Sequence, residues 1–213
     1  MDAAHTAIQR GTFFSDGTVP RVTDKKTLRQ EFAARLDGIH ADARTGWGTA
    51  LQERLIAHAE FRAAATVAVY SALPAEVPLA LVVEQARAHG KRVCYPLTQP
   101  PDRVLSFHAI QEGAPLAVGR FGIREPLPSA PRVPLLEIDL FVVPGLGFTR
   151  QGARLGKGGG YYDATLAAAR PAAVRCGVAF GVQIVDTLPT NGHDMTMDWI
   201  FTETDTFRGT PRP

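Results

Sequence analysis

Short apolar runs rich in β-branched and aromatic residues recur along the chain, and stretches with helical periodicity separate them. Four such runs are TVAVY at 66–70, RVCYPL at 92–97, IDLFVV at 138–143 and AVRCGVAF at 173–180. Strands buried on both faces of a parallel sheet have continuous apolar runs of this kind. The sequence therefore predicts an α/β fold, with a mostly parallel open sheet and helices on both of its faces.

The remaining elements are predicted from periodicity and from the positions of proline and glycine. Helices are expected from near Thr23, at about Trp47–Arg62, at Pro78–His89 and at about Tyr161–Arg170. The runs VLSFHAI at 104–110 and WIFTET at 199–204 are expected to be strands, the second being the last. The proline-rich segment 119–134 is expected to be an irregular loop.

The length of 213 residues suits one domain with a small appendage. Residues 1–22 show no clean period, and we expect them to form a loosely packed extension. We assign a single α/β domain to residues 23–207 and a tail to residues 208–213.

Composition argues against several classes of protein. The 23 basic and 21 acidic residues balance too closely for a nucleic-acid surface. The apolar runs are too short to cross a bilayer, and the N-terminus has no apolar core of a secretory signal. Cys94 and Cys176 lie inside strand-like runs, which predicts buried free thiols and a reducing, cytoplasmic setting. We expect a monomer with no nucleic-acid or membrane partner.

The segment GARLGKGGGYYD at 152–163 follows a predicted strand and precedes a predicted helix. Glycines let backbone amides approach an anion without a Cβ clash, and a helix N-terminus adds partial positive charge. Arg154 and Lys157 add full charges. The segment therefore predicts a phosphate-binding loop, which we call the glycine loop.

The glycine loop matches neither of the two common nucleotide-binding patterns. It has one spacer too few for a P-loop and lacks the Ser or Thr that would bind Mg²⁺, and it is not a dinucleotide-binding G-x-G-x-x-G. Asp163 could supply a carboxylate to Mg²⁺, which usually needs one or two on a nucleotide. The loop NGHDMTMD at 191–198 offers Asp194 or Asp198 as a second, and spacing alone does not choose between them.

Two cations lie at an unusual place on the first predicted helix. Lys25 and Arg29 fall inside its apolar arc, which is formed by Leu28, Phe32, Leu36 and Ile39. They either snorkel at the edge of the core or point inward to an anion. Glu76, the glycine loop and the 191–198 loop all follow strands, so they can meet at the carboxyl edge of a parallel sheet, where ligands bind.

With these motifs in place, the chain resembles the 5-formyltetrahydrofolate cyclo-ligase family. The resemblance is carried by DLFVVPGLGFTRQGARLGKGGGYYDATL at 139–166, KKTLR at 25–29, YSALPAEV at 70–77, FGIREP at 121–126 and HDMTMDWIFTE at 193–203. These segments occur in the family's order and span Lys25 to about Thr206. The N-terminal extension and the proline-rich stretch at 126–134 are not matched residue by residue.

The resemblance implies conversion of 5-formyltetrahydrofolate to 5,10-methenyltetrahydrofolate with Mg-ATP, releasing ADP and phosphate. It implies ATP contacts from Lys25, Arg29, Arg154, Leu155, Gly156, Lys157, Gly158, Gly159, Gly160, Tyr161 and Tyr162. It implies folate contacts from Ser71, Glu76, Lys157, Gly158, Gly159, Gly160 and Tyr161. It assigns Mg²⁺ to Asp163 and Asp194, leaves Asp198 as a structural acid, and gives catalytic roles to Lys157 and Arg154.

Two other functions stay open on the sequence. One is an enzyme on a related sheet that handles sugar phosphates or coenzyme A esters, which would need neither two Mg²⁺ carboxylates nor ATP. The other is a folate- or nucleotide-binding protein without turnover. ATP-dependent phosphate release separates the first from a cyclo-ligase, and binding without turnover would indicate the second.

Overall fold

The computed structural model describes residues 24–212. The predicted extension at 1–22 and the predicted helix start at Thr23 lie outside the described residues. The helices are α1 (Lys25–Asp37), α2 (Ala41–Ala57), α3 (Ala59–Ala63), α4 (Ala80–Ala88) and α5 (Tyr161–Ala168). The strands are β1 (Thr66–Ala68), β2 (Arg92–Leu97), β3 (Ser106–Ala109), β4 (Leu116–Val118), β5 (Arg124–Pro126), β6 (Arg132–Val133), β7 (Leu140–Val143), β8 (Gly147–Thr149), β9 (Arg154–Leu155), β10 (Val174–Val178), β11 (Ile184–Val185), β12 (Trp199–Phe201) and β13 (Thr206–Arg208).

Within residues 24–212 the main sheet has eight strands in the order β13-β12-β10-β7-β1-β2-β3-β6. The central strands from β12 to β2 pair in parallel. The edge pairings of β13, β3 and β6 are antiparallel. The prediction of a mostly parallel α/β sheet is confirmed. Antiparallel pairing at both edges was not predicted.

The two faces of the sheet bury different elements, because side chains alternate along each strand. Val67 and Val142 belong to one core with α1–α4. Ala68 and Phe141 belong to a second core with Leu166 of α5. Helices therefore cover both faces, as predicted, with four on one face and one on the other within the described range.

The helix boundaries differ from the predicted ones for local reasons. Helix α1 begins at Lys25 because the Asp24 carboxylate accepts hydrogen bonds from the amides of Lys26 and Thr27. The single helix expected at Trp47–Arg62 is two helices. His58 is extended between them, and its ring accepts from the Glu60 amide, so it ends one helix and caps the next.

Several short strands were missed, and one predicted irregular segment is partly regular. Strands β4 and β5 form a hairpin, and β6 lies at the edge of the main sheet inside the proline-rich segment. The last strand is β13 rather than β12, because the chain turns at Thr202–Asp205 and pairs back. A strand of two or three residues has too few side chains to show the alternation of apolar and polar residues from which strands are predicted.

No helix of the described part of the chain is both long and apolar enough to span a bilayer.

The predicted state of the two cysteines is confirmed, because both are free and buried. Burial raises the pKa of the Cys94 thiol to about 12, and it raises the pKa of Cys176 well above the ordinary value. Cys94 lies on β2 and Cys176 on β10, in the middle of the sheet.

We therefore expect neither thiol of the native protein to react with Ellman's reagent at mildly alkaline pH. Only the thiolate attacks such reagents, and both groups are protonated and covered. Released thionitrobenzoate is the measurement, and both cysteines should react once the chain is unfolded in denaturant. Fast reaction of either thiol in the native state would contradict the burial described here.

Candidate functional site

A cavity of about 520 Å³ opens at the carboxyl edge of the parallel strands. Residues that follow β1, β2 and β7 line it, together with α1, the glycine loop and the 191–198 loop. The lining residues are Lys25, Arg29, Tyr70, Ser71, Leu73, Glu76, Pro96, Thr98, Leu105, Phe121, Ile123, Glu125, Pro144, Gly145, Arg154, Leu155, Gly156, Lys157, Gly158, Gly159, Gly160, Tyr161, Tyr162, Asp163, Asn191 and Asp194. The structure thus brings together every residue that the resemblance assigned to a ligand.

The two cations of α1 point into the cavity and do not lie at the edge of the hydrophobic core. Lys25 Nζ lies 2.5 Å from Asp194 Oδ2, and Arg29 Nε donates to the Gly156 carbonyl at 2.9 Å. Residues distant in sequence are therefore held together by polar contacts. The inward orientation of Lys25 and Arg29 is confirmed, and they form what we call the cationic end of the cavity with Arg154 and Lys157.

Arg154 is the most deeply buried of these cations, with 4% of its side chain exposed. Its guanidinium donates to Asp163 Oδ1 at 2.9 Å and to the Pro144 carbonyl at 3.3 Å. Asp163 Oδ1 also accepts from the Met195 amide at 3.2 Å. This arrangement fixes α5 and the 191–198 loop against the end of β7.

The glycine loop is joined to the β1–α4 loop by an ion pair. Lys157 Nζ lies 2.6 Å from Glu76 Oε1, while Glu76 Oε2 accepts from the Leu73 amide at 2.9 Å. Both oxygens of Glu76 therefore have donors in the ligand-free site. Lys157 stands at the junction between the cationic end and the rest of the cavity.

The backbone of the glycine loop needs glycine at two positions that face the cations. Gly158 has φ +103° and Gly160 has φ +71°, and the latter caps α5. A Cβ on Gly158 would lie 3.3 Å from the Arg29 guanidinium carbon. Both backbone conformations favour glycine, and a Cβ on Gly158 would also crowd the Arg29 side chain.

Three buried polar atoms on the lining residues have no hydrogen-bond partner among the described residues. They are Ser71 Oγ, Arg154 Nε and the Tyr162 hydroxyl. An unpaired buried polar atom costs free energy, so native proteins rarely keep one without a ligand or water to pair it. These atoms mark surfaces where a ligand can supply the missing partners.

Two pKa shifts describe the electrostatics of the cavity. Burial alone would raise the pKa of Asp194, but hydrogen bonds from Lys25 and the Asn191 amide outweigh it and hold that pKa below its ordinary value. Burial, with the nearby Glu76 carboxylate, raises the pKa of the Tyr162 hydroxyl. Asp194 is thus an anion at neutral pH and Tyr162 a neutral donor.

The two candidate metal ligands are neighbours, since Asp163 accepts from the residue that follows Asp194. No cluster of three or more His, Cys, Asp or Glu side chains suited to a metal occurs in residues 24–212. Asp198 lies elsewhere: it accepts from the Arg175 amide at 2.7 Å and from Arg212 Nε at 2.8 Å. Its expected structural role fits this position.

Sequence reasoning assigned no role to several residues that the structure places on the cavity wall. Thr98, Glu125 and Asn191 are the polar ones. Glu125 was visible as part of FGIREP, but a single acid in a proline-rich segment gives no signal of burial. Its position became clear only from the β4–β5 hairpin, which no periodicity predicted.

This fold and this cavity define an α/β protein with an anion-binding cleft at the ends of its parallel strands. Residues 21–203 match the 5-formyltetrahydrofolate cyclo-ligase family. The mouse 5-formyltetrahydrofolate cyclo-ligase is 28% identical over 196 residues, which cover 84% of this chain and 93% of the mouse protein. The Haemophilus influenzae 5-formyltetrahydrofolate cyclo-ligase is 31% identical over 141 residues, which cover 65% of this chain and 75% of that protein.

Solved structures agree with the sequence comparison. The NMR structure of Aquifex aeolicus 5,10-methenyltetrahydrofolate synthetase is 28% identical, with a TM-score of 0.77, and the match covers 89% of this chain and 94% of that one. A Mycoplasma pneumoniae 5,10-methenyltetrahydrofolate synthetase, 23% identical with a TM-score of 0.70, shares the fold over 85% of this chain and 99% of its own. The chain belongs to the 5-formyltetrahydrofolate cyclo-ligase family and is a ligase.

The glycine loop and the 191–198 loop are held together at Gly152, which generates a test. Gly152 has φ +98°, and a Cβ there would lie 2.4 Å from the Met197 carbonyl oxygen. Gly113 has φ +75° but open space around it. Gly113→Ala should lower the free energy of unfolding by about 1 kcal/mol through strain, and Gly152→Ala by about 1–3 kcal/mol more through the clash.

Urea unfolding followed by circular dichroism measures both variants against the parent chain. The Gly113 variant is the control for backbone strain. Equal losses of stability in the two variants would show that the contact between the loops does not constrain the site.

Proposed function

We propose that this chain uses Mg-ATP to convert 5-formyltetrahydrofolate to 5,10-methenyltetrahydrofolate, releasing ADP and phosphate. The observation that carries the proposal is one cavity whose lining combines cations and glycine backbone with apolar and aromatic side chains. Such a cavity suits a triphosphate and a flat ring system held next to each other. Family membership supports this reaction, and the mixed lining of the cavity supports binding of both ligands there.

The cationic end binds the phosphates of ATP. Lys25, Arg29 and Arg154 supply charge, and the amides of Gly158–Gly160 and the N-terminus of α5 supply neutral donors. Arg154 Nε lacks a partner among the described residues and is a further donor on this side chain. Positioning and charge neutralisation are the main contributions a protein makes to phosphoryl transfer.

Asp163 and Asp194 are the residues that would hold Mg²⁺. Oxygen ligands suit this ion, and one or two carboxylates with phosphate oxygens and waters complete its shell. Asp163 Oδ1 and Asp194 Oδ2 are engaged by protein donors, while the second oxygen of each accepts no hydrogen bond from the described residues. The donor set therefore fits a nucleotide-bound Mg²⁺, which neutralises phosphate charge when bound.

The chemistry begins with a weak electrophile, because the formamide nitrogen donates into its carbonyl. The formyl oxygen attacks the γ-phosphorus of ATP, the bond to ADP breaks, and the oxygen becomes part of a good leaving group. N10 then attacks the activated carbon and loses its proton to water, and phosphate departs as the methenyl bridge closes. Lys157 and Arg154 stabilise charge on the transferred phosphoryl group.

The folate lies toward Ser71, Glu76 and Tyr161. Ser71 Oγ is buried without a partner in the described structure, so it is available to a polar atom of the ring system. Lys157 pairs with Glu76 in the ligand-free site and reaches phosphate when ATP enters. The cytoplasmic location and monomeric state stay predictions, the first resting on the two free thiols.

The test is turnover by the purified chain. 5-Formyltetrahydrofolate and Mg-ATP are mixed with it, and the near-ultraviolet absorbance of the methenyl product is followed. A rise that requires both ATP and Mg²⁺ is the expected result. Binding of both ligands without a rise in absorbance would indicate a folate- and nucleotide-binding protein without turnover. Failure to bind folate would favour an enzyme that handles sugar phosphates or coenzyme A esters.

Lys157→Ala should lower kcat by ~10²–10³-fold, the usual cost of removing one preorganised charge-stabilising group. Lys157→Arg keeps the charge and should recover part of the rate. Lys26→Ala is the control, because that lysine is exposed on α1 and does not line the cavity. Steady-state kinetics measure all three, and a Lys157→Ala enzyme with parental kcat would remove Lys157 from the mechanism.

A further inference from the structure

The cavity also holds a carboxylate that none of the assigned roles uses. One part of the cavity wall comes from β2, the residue before β3, the β4–β5 hairpin and the start of α5. The apolar and aromatic residues there are Pro96, Leu105, Phe121, Ile123 and Tyr161. Glu125, on β5, lines this same region and is 6% exposed.

Glu125 has an unusually small number of partners for a buried carboxylate. Oε1 accepts from Thr98 Oγ1 at 2.7 Å, whereas Oε2 accepts no hydrogen bond from the described residues. No Lys or Arg of the described residues pairs with Glu125. A carboxylate has about four acceptor sites, and burying one without donors is costly. The Glu125 carboxylate therefore has open acceptor sites that the N–H donors of a ligand can fill.

The backbone is shaped to keep this carboxylate in place. A Cβ on Gly119 would lie 2.2 Å from Glu125 Oε2, so the carboxylate packs directly on the Gly119 backbone. The Gly119 amide donates to the Ile123 carbonyl at 2.7 Å, which closes the hairpin on that side. Thr98, directly after β2, fixes the other oxygen. Glu125 is thus held in one orientation by two separate elements.

Glu76 does not offer the same opportunity in the ligand-free site. Its two oxygens accept from Lys157 and from the Leu73 amide. Glu125 keeps one oxygen open while its position is fixed, and unlike Asp163 and Asp194 it pairs with no cation among the described residues. The two acids therefore differ in what they can do for a ligand.

We propose that Glu125, oriented by Thr98, binds the ring end of the substrate through two adjacent N–H donors. In 5-formyltetrahydrofolate these are N3–H and the 2-amino group, which present parallel donors to one carboxylate. The flat ring then lies among the aromatic and apolar walls, where the rings of Phe121 and Tyr161 are 6.4 Å apart. This inference rests on the proposed function and adds a specificity-determining residue to it.

Glu125→Gln is the first test, because it keeps the shape and a partner for Thr98 but turns one acceptor into a donor. Calorimetry with 5-formyltetrahydrofolate should show affinity lowered roughly 10- to 100-fold, the usual value of hydrogen bonds to a charged group. ATP affinity should be unchanged, because Glu125 makes no hydrogen bond or ion pair with Lys25, Arg154 or Lys157. Thr98→Val should weaken folate binding by roughly 2- to 10-fold.

A folate analogue with methyl in place of the 2-amino group separates recognition from a structural effect. The parent chain should bind this analogue much more weakly than the substrate, while the Glu125→Gln chain should hardly distinguish the two. A purely structural role would lower the affinity of the variant for both compounds equally. Thermal melts confirm that the variants are folded.

The outcomes separate this inference from the proposed function. Loss of discrimination against the analogue in the variant supports Glu125 as the ring-binding group. Equal folate affinity in the parent and the variant, or equal discrimination, overturns this inference and leaves the reaction standing. A parent chain that binds no folate overturns the proposed function and this inference together.

Discussion

The ion pair between Arg154 and Asp163 is the contact on which the arrangement of the site depends. Arg154 leaves the short strand β9, and its guanidinium reaches the carbonyl at the end of β7 and the first turn of α5. Asp163 extends the connection to the Met195 amide. Removing one partner of such a pair leaves a charge buried in a site of low dielectric, so the pair stabilises only as a unit. Through it, the main sheet, the glycine loop and the 191–198 loop adopt one geometry.

Much of the architecture was predictable because central strands and long helices carry strong periodic signals. The runs at 66–70, 92–97 and 173–180 are too apolar for a surface, and each lies in the parallel core of the sheet. The cations of α1 were recognisable because charge on an apolar arc is unusual. Asp194 and Asp198 could not be separated by spacing, and the structure separates them because Asp194 lines the cavity whereas Asp198 lies outside it, bound to Arg175 and Arg212.

What could not be predicted depends on pairing between distant segments. Strands such as β6 and β9 have two residues each, so no alternation can form. Glu125 is buried because a hairpin packs it against Gly119 and because Thr98 approaches from another strand. Neither relation leaves a trace in local sequence. The break at His58 was likewise missed, because histidine has no strong helix-stopping signal of its own, and its capping depends on a backbone turn.

The salt bridge between Lys157 and Glu76 makes the two ends of the cavity interdependent. When a ligand offers a phosphate to Lys157, Glu76 keeps the Leu73 amide as its partner among the described residues. When a ligand binds Glu76 instead, Lys157 is released from the salt bridge. Occupancy of either end therefore alters the free energy of occupying the other, and by thermodynamic linkage the effect is equal in both directions. The salt bridge therefore couples the two ligands energetically without fixing which of them binds first.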